Sequence, residues 1–154
     1  MVAFSSEQTI ESPATAVYDL AVDVVRHPQW MNVLDARVIS GDPSTVGGRA
    51  REHMKVGPRT YDIEFEVVAA DPGRRIAWRV THGGPFTGEV SLQLEPVAAE
   101  RTRATYSGHI DLKGLWRLLG PIMAREIRAE EAGELLRLKH LAEGRPATSL
   151  APNE

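Results

Sequence analysis

Apolar and polar residues alternate along the chain from about residue 33 to about residue 110, and then the period changes. Alternation is clearest at 61–67, where Tyr61, Ile63, Phe65 and Val67 share one face opposite Asp62, Glu64 and Glu66. It recurs at 86–94, where Phe86, Val90, Leu92 and Leu94 oppose Thr87, Glu89, Ser91 and Gln93. A period of two is that of a β-strand with one buried face. Turn residues at Gly41-Asp42-Pro43, Gly57-Pro58, Asp71-Pro72-Gly73, Gly83-Gly84-Pro85 and around Ala98 divide the region into six strands, roughly 33–41, 48–57, 59–71, 74–83, 86–96 and 100–110. Connections this short imply hairpins and hence an antiparallel meander.

A further strand is predicted at 2–10, with Phe4 and Ile10 as its apolar points. Ser12 as N-cap and Pro13 at the first helical position then open a short helix whose buried side is Val17, Leu20 and Ala21. A second short helix spans about Asp23 to Arg26 and ends at Pro28, with Trp30 and Met31 following as apolar anchors. After the strands, Leu112 to Gly120 forms an apolar turn or short helix. A long helix then runs from Pro121 to about Glu143, with Met123, Ile127, Leu138 and Leu141 as its apolar stripe. The sheet has one apolar face to bury, and only this helix is long enough to cover it. A curved sheet closing on a single helix leaves a cavity, so function is sought in the interior.

Composition narrows the classes. The 154 residues are 42% hydrophobic and 25% charged, as in a globular domain, and fit one domain at 1–143 with a disordered tail at 144–154. The net charge of −3 gives no ground for a nucleic-acid or anionic-membrane partner. Cysteine is absent, which removes disulfides, thiolate catalysis and cysteine-ligated zinc. His27, His53, His82, His109 and His140 show no ligand spacing, so no metal is expected. No cofactor is expected either, because the chain lacks a glycine-rich nucleotide fingerprint and a P-loop. No apolar run approaches the ~20 residues of a membrane span, and the first residues do not resemble a secretory signal. A cytoplasmic protein is the expectation.

The order of elements and several local motifs resemble the START-like helix-grip superfamily, which includes the Bet v 1-like fold. Within it they resemble the polyketide cyclase/dehydrase and lipid-transport group. The resembling segments are Ile10-Glu-Ser-Pro-Ala-Thr-Ala-Val-Tyr-Asp-Leu20, Val25-Arg-His-Pro-Gln-Trp-Met31, Val46-Gly-Gly-Arg49, Asp71-Pro-Gly-Arg-Arg-Ile-Ala-Trp-Arg79 and Leu138-Lys-His-Leu141. The resemblance covers about residues 2 to 143. It implies an α+β fold in which a seven-stranded antiparallel sheet curves around the C-terminal helix and encloses a pocket. It transfers no catalytic motif, so function must be argued from the site.

Strand phase and helix geometry name the pocket residues. On the helical wheel Glu134 falls inside the apolar stripe, roughly 20° from Ile127 and roughly 40° from Leu138, with Glu131 near the edge. A carboxylate there needs partners or a proton, and could instead be solvated or pair with Arg137. On the sheet, the inward phase brings in Tyr61, Ile63, Phe65, Trp78, Val80, Val90, Leu92 and Tyr106. It also brings in the polar residues Glu52 and Thr102. His82 is next in that phase but sits beside a Gly-Gly-Pro turn, where an exposed loop-end histidine is commoner than a functional one. A bulge would turn Glu52 or His82 outward. Gly88 and Gly108 mark bends within strands. With Met123, Ile127, Glu134 and Leu138 from the helix, these residues form the expected ligand-binding set.

Three functions follow. The cavity suits a lipid-, polyketide- or aromatic-like ligand held by a carrier or sensor. Alternatively, a cofactor-independent cyclase or dehydratase would use Glu134 or Glu52 as base and Tyr106 or His82 as donor. The third is a protein-interaction module. Convergence of Glu134 with a sheet residue, its carboxyl pKa raised, separates catalysis from simple binding. Either a monomer or a homodimer is compatible with the sequence.

Overall fold

The computed structural model describes residues 1–56 and 58–144. Gly57 of the expected Gly57-Pro58 turn, and the expected tail after Gly144, lie outside the described residues. Seven strands form one sheet: β1 (Val2–Ile10), β2 (Asp35–Ser40), β3 (Arg49–Val56), β4 (Arg59–Asp71), β5 (Arg75–His82), β6 (Phe86–Ala98) and β7 (Arg101–Leu112). Their order is β1-β7-β6-β5-β4-β3-β2, with every neighbouring pair antiparallel. β2 to β7 are the expected meander. β1 lies at the far edge beside β7, so the chain must cross the sheet to reach β2. It does so through α1 (Ala14–Val22) and a 3₁₀ helix (Val24–Gln29). A second 3₁₀ helix (Gly114–Leu119) leads into α2 (Gly120–Ala142), which packs against β1 and, more lightly, β7. This is the helix-grip architecture that the sequence pattern implied.

Two local expectations are corrected. Pro13, not Ser12, occupies the cap position of α1, and no side chain caps that end. Ser12 is instead buried, and its carbonyl accepts a hydrogen bond from Thr102 Oγ1 at 2.7 Å, tying the start of α1 to β7. Pro28 does not end the second helix but lies within it. A short 3₁₀ helix makes few hydrogen bonds, so one missing N–H is tolerated there.

The buried face of the sheet divides into two layers. Val67 of β4, Ile76 of β5, Leu92 of β6 and Ala104 of β7 belong to one buried cluster with Leu135 and Leu138 of α2, all fully or nearly fully buried, and Ile76 stands directly opposite Leu92. Burying one such leucine contributes about 1.5–3 kcal/mol. One inward position further along each strand stand Phe65, Trp78, Val90 and Tyr106, and here the helix no longer fills the space. Gly88 and Gly108 permit the close approach of β6 and β7 beside this layer. A Cβ on Gly88 would collide with the carbonyl of His109, and one on Gly108 with that of Glu89.

Candidate functional site

The unfilled space is an inner cavity of about 100 Å³, opening towards a wider mouth of about 250 Å³. Sheet residues Ile63, Phe65, Trp78, Val80 and Val90 wall the inner cavity, with Met31 and Val33 from the segment after the first 3₁₀ helix. Met123 and Ile127 of α2 line the mouth together with Trp116. Three carboxyl groups, Glu52, Glu131 and Glu134, line the inner cavity, and among the described residues no lysine, arginine or histidine does.

Glu52 comes from β3, opposite Ile63 in an unbroken register that keeps it inward. Its Oε1 lies 2.7 Å from Nδ1 of His27, a fully buried histidine on the first 3₁₀ helix. The other ring nitrogen, Nε2, sits 2.8 Å from the carbonyl of Ala21. A carbonyl only accepts, so Nε2 carries a hydrogen and donates it. The contact between Nδ1 and Glu52 then requires one more proton, on either the ring or the carboxyl. In both forms the pair is neutral overall and its geometry is unchanged. Phe65 stacks on the imidazole, while Trp30 and Trp78 meet it edge-on.

The opposite wall is built differently. The Tyr106 hydroxyl donates to Glu134 Oε2 at 2.9 Å, and the Asn32 amide donates to Oε1 at 3.4 Å. Arg137 turns away, binding the Trp30 carbonyl at 2.9 Å and Glu130 at 3.2 Å. Burial pushes the Glu134 carboxyl above the ordinary 4.5, against the pull of its Tyr106 and Asn32 hydrogen bonds. Burial pushes Glu131 up as well, and the neighbouring Glu134 charge adds to the rise. The Tyr106 hydroxyl is driven well above 10.0, first by burial and then by Glu134. Around neutral pH this wall therefore keeps a proton that exposed carboxylates would have lost.

The sequence-expected residues separate accordingly. Glu52, Ile63, Phe65, Trp78, Val80, Val90, Tyr106 and Glu134 face the inner cavity, and Met123 and Ile127 face its mouth. Leu92 and Leu138 are fully buried in the packed layer beside the cavity, outside its wall. Tyr61 is half-buried and lines neither chamber. Thr102 is spent on the Ser12 carbonyl.

His82 is a correction. Between β4 and β5 the register jumps from Phe65↔Val80 to Glu64↔His82, leaving Thr81 as an extra residue. This bulge reverses the phase, so the His82 side chain is 71% exposed and lies 3.7 Å from Glu64 on the outer face. Sequence reasoning passed over His27. Its one signal was a histidine set among the apolar residues Val24, Val25, Trp30 and Met31. Among the described residues no cluster of histidine and carboxylate side chains has the form of a metal site.

The family described as polyketide cyclase/dehydrase and lipid transport matches residues 1–143, and the chain belongs to it. No curated protein matches the chain. Among solved structures it is similar to a START superfamily protein from Mycobacterium smegmatis, with a TM-score of 0.81 and 15% identity, over 94% of this chain and 99% of that one. It is also similar to TTHA0849 from Thermus thermophilus, with a TM-score of 0.75 and 18% identity, over 92% and 97%. A third is the Zhui aromatase/cyclase from a Streptomyces species, with a TM-score of 0.71 and 18% identity, over 92% and 93%. At these identities the likeness is one of fold.

Proposed function

We propose that this protein binds a small hydrophobic molecule between sheet and helix, as a carrier or sensor. The observation that carries this reading is the aromatic-walled cavity with its wider, mostly apolar mouth. A cavity of about 150 Å³ holds benzene, so an inner chamber of about 100 Å³ takes no more than part of a ligand, and the remainder occupies the mouth. Three carboxyl groups and no cation at the inner wall disfavour an anionic ligand such as an ionised fatty acid. A protonated carboxyl there donates well to a carbonyl or phenol oxygen. Neutral polyketide- or flavonoid-like molecules fit these terms better than ionised lipids. Action in the cytoplasm belongs to the same reading.

One observation favours a second reading, a cyclase or dehydratase. Glu134 and Tyr106 converge within hydrogen-bond reach inside the cavity, and the carboxyl is shifted up. In that case Glu134 removes an acidic α-proton as general base, and Tyr106 holds the enolate oxygen.

Native mass spectrometry of freshly purified protein, followed by a thermal-shift screen of fatty acids, sterols, aromatic polyketides and flavonoids, tests both readings. A neutral ring-containing hit recovered unchanged is the expected result, with Glu134→Gln altering only its affinity. Conversion of the hit to a product, abolished by Glu134→Gln, makes the protein an enzyme. A panel without a single hit sinks both.

A further inference from the structure

The chain's surface cations are not distributed evenly in their pairing. On the sheet, Arg49 and Arg51 bind Glu64, Arg79 binds Glu89, Arg101 binds Glu11 and Arg103 binds Glu95. Arg37, Lys55, Arg59 and Arg75 of the sheet make no ion pair among the described residues, and four more such cations gather around the second 3₁₀ helix and the start of α2. Lys113, Arg117, Arg125 and Arg128 are exposed, and among the described residues none of them makes an ion pair. Arg128 only donates to the Ala3 carbonyl, at 3.0 Å. Glu126 is the single carboxylate between positions 113 and 128.

The same segment carries the exposed apolar residues Leu115 (82%), Leu118 (76%) and Ile122 (71%). In a 3₁₀ helix, side chains three apart eclipse one another, so Leu115 and Leu118 form a single outward ridge. Trp116, on another face of the same turn, lines the cavity mouth instead, as do Met123 and Ile127 one turn on. A protruding leucine ridge flanked by unpaired cations therefore stands beside the cavity entrance, whose own charged lining is Lys55 with Glu126, Glu130, Glu131 and Glu134.

We infer that this ridge is an adsorption surface for an anionic lipid bilayer. Protruding apolar side chains gain by entering the headgroup–acyl boundary, and each flanking cation gains from the negative surface potential. The ridge is convex and carries no polar side chains of its own to match a partner's hydrogen bonds, which suits a fluid interface better than a shaped protein groove. The chain's net charge of −3 conceals the feature because it sums over the whole sequence, whereas the segment from 113 to 128 carries four cations and one carboxylate. Adsorption here would place the cavity mouth against the membrane, where an apolar ligand partitions. That last consequence rests on the ligand-binding reading, whereas adsorption itself does not.

Co-sedimentation with phosphatidylcholine vesicles, with and without phosphatidylglycerol, tests the inference on the full chain. The protein is expected to follow the phosphatidylglycerol vesicles at low salt, and to leave them as salt is raised. R117Q/R125Q should weaken partitioning by roughly fivefold for each cation removed, and L115S/L118S/I122S should abolish it. Both variants should keep the wild-type circular dichroism, since these side chains are exposed. Nile red fluorescence without vesicles reads the cavity separately, so an empty pocket and a failure to adsorb give different results. The inference is overturned if the wild type ignores both vesicles, or if neither variant changes its partitioning. It is equally overturned if sedimentation velocity finds a wild-type dimer that L115S/L118S/I122S makes monomeric, without vesicle binding; the patch is then a contact between copies.

Discussion

Glu52 on the sheet and Glu134 on the long helix reach the same cavity from opposite walls, and the protein stabilises them by different means. Glu52 has a dedicated partner in His27, itself held by the Ala21 carbonyl and enclosed by Phe65, Trp30 and Trp78. Glu134 has a tyrosine, a long backbone contact and a second carboxyl, Glu131, but no cation. One wall is a closed neutral unit, whereas the other leaves an electrostatic cost uncompensated. Groups held at such a cost cluster at functional sites, so the helix wall is where ligand chemistry is expected.

The comparison breaks most sharply at His27. Replacing it with alanine leaves Glu52 buried without its partner and opens a hole among three aromatic rings. A loss of about 3–5 kcal/mol is expected, read by urea unfolding at constant slope. Replacing both members, as in H27F/E52L, should recover most of that loss, because an apolar pair of similar size needs no proton. A double variant as unstable as H27A would show that neither ring packing nor the Glu52 partnership sets the loss, leaving the hydrogen bond from Nε2 to the Ala21 carbonyl as its source.

Glu134→Gln should act in the opposite direction. A carboxyl whose folded pKa is raised above its unfolded value of 4.5 holds a proton that the unfolded chain releases. Stability from this source is complete below pH 4.5 and declines as pH rises through the shifted value. The same sign applies to Glu131. Glutamine cannot ionise, so E134Q should exceed the wild type by roughly 1–3 kcal/mol at mildly alkaline pH and match it in acid. Thermal unfolding across pH measures this directly. A wild type that gains stability with rising pH over the same range would contradict the unpaired-wall description.

The two walls were not equally legible in the sequence. Period two on β3 and the helical wheel on α2 brought Glu52 and Glu134 inward, because neither element carries an irregularity before its key residue. The same rule misplaced His82, since the extra residue at Thr81 reverses the phase and leaves no mark in composition. His27 was invisible for another reason. It lies on a 3₁₀ helix, to which neither the strand nor the α-helix period applies, and its carboxylate partner is 25 residues away. Face prediction also could not say where along the face the helix stands off. Val90 and Leu92 share a phase on β6, yet the first meets the cavity and the second meets packed core.

Tyr106→Phe gives the smallest effect and tests the helix wall most finely. It removes a hydroxyl and keeps the ring that packs on Phe4 and Trp30, so the direct cost is that of one hydrogen bond to a buried carboxyl, about 1–2 kcal/mol. That bond also lowers the Glu134 pKa, so its loss should raise the pKa further. The decline in stability with pH should then continue to higher pH in Y106F than in the wild type, and E134Q/Y106F should show neither the wild-type nor the Y106F contribution from Glu134. Infrared spectroscopy of the protonated carboxyl stretch follows the same titration without unfolding. If Y106F titrates at lower pH than the wild type, the tyrosine is not the group that holds Glu134 ionised, and the Asn32 amide takes that place.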